Sequence, residues 1–170
     1  MKVYRFTSQE ASQLEAERVV EKIVWRIMED APDQGDSKEM ERFLNGLSAP
    51  QAAAYAAWET SNWVVVGGAG HMFEICSAPL IYKAVEAFEL LHEPRLADSL
   101  RQLCQRFPGG KVPDDCEAAS AFIESMSEDA TVSKLLGEFE KRPVKDWFDV
   151  ERFFQAHRDS FVIPDPGQTR

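Results

Sequence analysis

An all-α domain is what the sequence predicts, from three observations. Apolar residues recur at helical spacing in segment after segment. The breaks between segments carry Gly, Pro, Asn or Asp, the residues that cap and end helices. Alternating stretches are confined to the two ends of the chain, too little for a sheet that would define the fold. The expectation is a single-domain bundle of about seven to nine helices with at most a minor terminal strand. The 170 residues suit one domain, 1–170, with a real core.

Tyr4 and Phe6 alternate with polar residues, so residues 2–6 read as extended. Residues 8–30 then form one amphipathic helix, with Leu14, Val19, Val20, Ile23, Val24, Ile27 and Met28 inward. Thr7 or Ser8 caps it, and Glu10 stands three residues after Thr7 as a capping box requires. This N-terminal helix packs on the rest. A loop over residues 31–36 leads to a short helix at 38–44, which breaks at Asn45-Gly46. Ser48 starts the next helix, with Pro50 in its first turn. Its alanine-rich part favours helix and runs through Trp58 and Trp63 into Val64-Val65-Val66.

Those valines meet Gly67-Gly68-Ala69-Gly70. A strand entering a phosphate-binding loop would need a third glycine where Phe73 stands, or a Gly-Lys-Ser/Thr ending, and neither is present. The better reading is a helix that stops at a glycine C-cap, followed by a short helix at 71–76. Leu80, Ile81, Val85, Phe88 and Leu91 line a helix over 78–91. Glu93-Pro94 restarts the chain, and Leu96, Leu100, Leu103, Cys104 and Phe107 line the helix that Pro108-Gly109-Gly110 ends. Asp114 or Asp115 caps a helix over 116–126, and helices over 131–141 and 147–157 follow. Residues 161–164 are extended.

The net charge is −10, from 29 acids and 19 bases. That disfavours direct contact with nucleic acid or an anionic membrane and suits a basic protein partner. Residues 112–133 hold no base, while Asp114, Asp115, Glu117, Glu124, Glu128 and Asp129 all lie there. Such a run is usually a solvated face; it is also the candidate partner-binding surface, with Glu29, Asp30, Asp33 and Asp36 as further members. A second candidate is a pocket at the glycine turn, made by Trp58, Trp63, Gly67, Gly68 and His71.

Catalytic and metal chemistry find little support. Cys76, Cys104 and Cys116 are widely spaced and read as reduced thiols of a cytoplasmic protein. His71, Glu74 and Cys76 form the one local grouping with a nucleophile, and a buried cysteine beside a surface pair accounts for it better. No HExxH or CxxC motif occurs, so no metal site and no cofactor is expected. The start lacks an apolar secretory segment, and no apolar run reaches membrane-span length.

Several pieces together resemble a known family. LSAPQAAAYAAWE at 47–59, the paired glycines Gly67-Gly68, the helix that starts near Ala78, FPGGKVPDD at 107–115 and ERFFQAHRDSF at 151–161 fall in that family's order. The chain, over about residues 44–161, is similar to a bacterial domain-of-unknown-function family that includes the DMP-type DNA-mimic protein. Relatives tend to carry Asn before the paired glycines and Phe after them, where this chain has Val66 and Ala69. The resemblance implies an all-α fold and, from at least one member, surface carboxylates that stand in for DNA phosphates on a basic DNA-binding regulator. Three functions are therefore carried forward. One is an acidic protein-binding module of the DNA-mimic kind. Another is an immunity-type inhibitor of a basic toxin. The third is a small-molecule binder or enzyme with a pocket near the glycine turn, the least favoured. A homodimer stays open.

Overall fold

A computed structural model of the chain describes residues 4–140 and 150–164. The described chain is an all-α bundle with a two-strand parallel ribbon at its ends. In order, β1 is Phe6–Thr7, α1 Ser8–Ala11, α2 Ala16–Met28, α3 Ser37–Gly46, α4 Ala49–Gly67, α5 His71–Ile75, α6 Ala78–Leu90 and α7 Pro94–Arg106. A 3-10 turn at Pro108–Gly110 leads to α8 Cys116–Ser125, α9 Ala130–Glu140, α10 Val150–Ala156, α11 Arg158–Phe161 and β2 Val162–Ile163. Eight of these helices have seven or more residues.

The N-terminal expectation is corrected. Residues 8–30 are two helices, because the chain turns at residues 12–15. The Thr7–Glu10 capping box forms as expected, yet it caps the four residues of α1. The Ser12 hydroxyl donates to the Gln9 carbonyl at 2.8 Å, the local side-chain bond that competes with helix continuation. Glu15 is extended, at φ −66° and ψ 151°, and α2 begins after it. Val19, Val20, Ile23, Val24 and Ile27 form the buried stripe of α2.

α4 is the central element. Ala52 to Ala57, Tyr55 included, are all buried, as in a helix covered on most sides. Small alanines let neighbouring helices approach closely, and α6, α5 and α2 pack directly on α4. Gln51 in its first turn donates through Nε2 to the Tyr4 and Ser160 carbonyls, both at 2.8 Å. One side chain thus ties both chain ends to α4. Beside it, Phe6 pairs with Val162 and Thr7 with Ile163 in parallel register. The other helix starts match the expectations closely, with Asp36 capping α3 and Asp115 capping α8. Of the last predicted helix, α10 covers the part from Val150; residues 147–149 lie outside the described residues.

Candidate functional site

Of the acids between residues 112 and 133, Asp114, Asp115, Glu117, Glu124 and Glu128 are exposed and Asp129 is half-buried. Glu117 and Glu124 are seven residues apart on α8, so they share one face about 10 Å apart. The α2–α3 loop meets the N-terminal end of this row. The Ser37 hydroxyl donates to the Asp114 carbonyl at 3.1 Å, and the Cys116 thiol feels the charges of both Asp115 and Asp33. Asp33 and Asp36 therefore join Asp114 and Asp115 in one exposed cluster that α8 extends through Glu117 and Glu124. Among the described residues, no cation lies within ion-pair distance of Asp33, Asp36, Asp114, Asp115, Glu117 or Glu124, whereas Glu21, Glu39, Glu86, Glu89 and Asp98 each have a lysine or arginine partner.

Three acids of this region also hold helix ends. Asp36 accepts from the Lys38 and Glu39 amides at 3.1 and 3.0 Å. Asp115 accepts from the Glu117 amide at 2.9 Å. Asp129 accepts from the Thr131 and Val132 amides at 2.7 and 3.1 Å and lies 4.0 Å from Arg106. The two amide bonds, that of Val132 first, hold the Asp129 carboxyl below its ordinary value. Asp30 is engaged by the Tyr4 hydroxyl, which donates to it at 2.8 Å.

The glycine turn is a helix end, as read. Gly68 takes φ +84°, a conformation that favours glycine, and its amide donates to the Val64 carbonyl at 2.8 Å. Gly67 serves a close approach: a Cβ there would sit 2.5 Å from the His71 ring. That ring stacks edge-on against Trp63, with centroids 5.6 Å apart, and its Nδ1 lies 2.6 Å from the Glu74 carboxylate. Trp63, Gly67 and His71 are thus brought together. Trp58, half-buried against the core, projects about 140° away from Trp63 around α4. Two open clefts lie elsewhere. One, of about 630 Å³, is lined by residues such as Ala11 of α1, Glu15 before α2, Phe154 of α10 and Arg158 of α11. The other, of about 500 Å³, is lined by Leu44, Tyr82, Lys83 and Lys111 among others.

Beneath the turn is a buried polar cluster that sequence reasoning missed. Glu59 is 2% exposed in the middle of α4. Gln34 of the α2–α3 loop donates to its carboxyl through Nε2 at 2.5 Å. The Gln34 Oε1 accepts from the Trp63 indole N–H at 2.8 Å and from the Cys76 thiol at 3.8 Å, while the Gln34 carbonyl accepts from the Ser77 amide at 3.0 Å. Burial raises the Glu59 carboxyl above its ordinary value, and the Gln34 and Trp63 donors oppose that rise only in part. One signal was available in the sequence. Glu59 lies four residues from both Tyr55 and Trp63, on a helix too apolar to leave that stripe in water.

The thiols are poorly placed for nucleophilic work, which needs a lowered pKa. Burial pushes Cys76 well above its ordinary value and Cys104 up to about 12, and it also raises Cys116. Among the described residues, no group of three or more His, Cys, Asp or Glu could hold a metal ion, and no helix is long and apolar enough to cross a membrane.

Comparison with known proteins places the chain. Neither the curated proteins nor the solved structures contain a match. A family model described as DMP19-like protein matches residues 45–157, about two thirds of the chain.

Proposed function

Because the chain belongs to the DMP19-like protein family, we propose that it is an acidic protein-binding module whose exposed carboxylates occupy the cationic face of a DNA-binding protein. The observation that carries this reading is the acidic cluster itself. Asp33, Asp36, Asp114 and Asp115 stand together at one end of α8, with Glu117 and Glu124 continuing along it and, among the described residues, no ion pair neutralising them. Fixed anions of this kind meet lysine and arginine as phosphates do, and the attraction weakens with salt. Helix capping holds Asp36 and Asp115 in place, so part of the anionic surface is ordered before a partner arrives.

The same surface suits an immunity-type inhibitor of a basic toxin, and the partner's identity separates the two. The test is affinity capture from the native cell lysate at low salt, release at high salt, and measurement of the purified partner against duplex DNA as competitor. A basic DNA-binding protein that DNA displaces is the expected result. A basic nuclease held away from its substrate would move the reading to inhibition. A partner indifferent to both salt and DNA would overturn the charge-driven reading.

A further inference from the structure

Beside the acidic cluster lies the open cleft of about 500 Å³, and Asp114 belongs to both. Three segments make it. Glu41 and Leu44 stand three residues apart on one face of α3, and Tyr82 and Glu86 stand four apart on one face of α6. The link before α8, residues 111–115, forms the third side and is tied to both helices. The Val112 amide donates to the Tyr82 hydroxyl at 2.8 Å, and the Ser37 hydroxyl donates to the Asp114 carbonyl at 3.1 Å. Leu44 and Val112 are buried and give the cleft an apolar floor. Tyr82 remains 38% exposed although its hydroxyl is held, so a fixed aromatic ring forms one wall. The shape is present before anything enters it, which lowers the cost of binding.

The charges of the lining are unequal. Glu41, Glu86 and Asp114 stand against Lys83 and Lys111. Glu86 takes up Lys83 at 2.6 Å. Among the described residues of the lining, that leaves Lys111 as the remaining cation against Glu41 and Asp114, with Asp36 and Asp115 just beyond.

We propose that this cleft is an arginine pocket at the edge of the acidic surface: it takes an arginine side chain of the basic partner, with the guanidinium on the Tyr82 ring and the Glu41 and Asp114 carboxylates as its acceptors. The occupant's identity rests on the function proposed above and on the chemistry of the walls. A guanidinium is planar, stacks on aromatic faces and donates in a fork that fits carboxylates. A lysine ammonium is more strongly hydrated and cannot stack, so it would use the charge and not the ring. An apolar side chain would strip water from Glu41 and Asp114 and offer no cation in return. Aromatic walls and arginine are also the pair over-represented where binding energy concentrates in an interface. The acidic row along α8 would then attract the partner, and the cleft would fix its register.

The test uses the full chain and two synthetic peptides of equal length and charge, one carrying arginine and one lysine at the same positions among glycines and serines. Each is titrated at low salt and followed by proton–nitrogen NMR. The arginine peptide should shift the Leu44, Tyr82 and Val112 amides and bind about threefold more tightly than the lysine peptide, the size of one exposed cation–π contact. Tyr82→Leu, which keeps apolar bulk on α6, should erase that preference. Lys111→Ala, at an exposed position whose loss does not threaten the fold, should tighten the arginine peptide. Equal affinity for the two peptides, an arginine preference that survives Tyr82→Leu, or shifts confined to α8 would overturn the pocket. Shifts confined to α8 would still leave the acidic surface standing. A cleft that takes the arginine peptide in a chain whose captured partner ignores salt would support the pocket and count against the surface alone.

Discussion

Two glycines with opposite surroundings make the argument for single residues. Adding a methyl group at Gly67 would drive the His71 ring off Trp63 and Glu74, an overpacking cost of about 1–3 kcal/mol. The gain of alanine over glycine in a helix, about 0.5–1 kcal/mol, offsets only part of it. Gly46, in the last turn of α3, has nothing within 4 Å of where its Cβ would be. Urea denaturation should therefore show Gly67→Ala less stable than the wild type by about 1 kcal/mol, and Gly46→Ala unchanged or slightly more stable. Tyr55 gives a second contrast. Its ring is fully buried against Phe43, at 5.7 Å between centroids, but its hydroxyl has no hydrogen-bond partner among the described residues. Tyr55→Phe should be neutral or stabilising by about 1 kcal/mol in the same assay, against the usual cost of a core substitution. At this scale the sequence disclosed the turn and hid the contacts: Gly67-Gly68 was legible as a helix end, but the His71 ring packed over Gly67 was not.

Helix ends separate the acids that hold structure from those free to bind. Removing the cap with Asp115→Ala should cost about 1 kcal/mol through α8. Reversing Glu124, which caps no described helix, should leave stability within about 0.5 kcal/mol. Thermal unfolding of the two proteins checks both, and equal destabilisation would dissolve the distinction. Asp129 belongs with the caps, so a charge reversal there would confuse folding with binding. Most helices were legible because their apolar stripes and caps agree, as with Asp115 before α8 and Ser48-Ala49-Pro50 before α4. The exception at 8–30 is instructive. Leu14 extends the apolar period of α2 backwards, and only the backbone turn at Ser12–Glu15 shows that the period crosses a break. The pairing of Phe6–Thr7 with Val162–Ile163 was also hidden, since two extended ends do not state that they meet or in which register.

Across the whole molecule, the chain's negative charge is concentrated by the fold as well as by composition. The base-free run at 112–133 was visible from charge counting alone. Its union with Asp33 and Asp36 was not, because it depends on the Ser37–Asp114 contact between segments 77 residues apart. The Gln34–Glu59 contact was hidden for the same reason, as a loop residue and a mid-helix acid acquire meaning only when packing brings them together. The central claim is that this acidic surface binds a basic protein through charge. The most direct test is the affinity of the captured partner, measured over a range of salt, for the wild type and for the protein with Glu117, Glu124 and Glu128 all changed to lysine. The account predicts wild-type binding that weakens steeply with salt, and a variant that stays folded yet binds at least about tenfold more weakly with a shallower salt dependence. Equal affinity and equal salt dependence in the two proteins would contradict it.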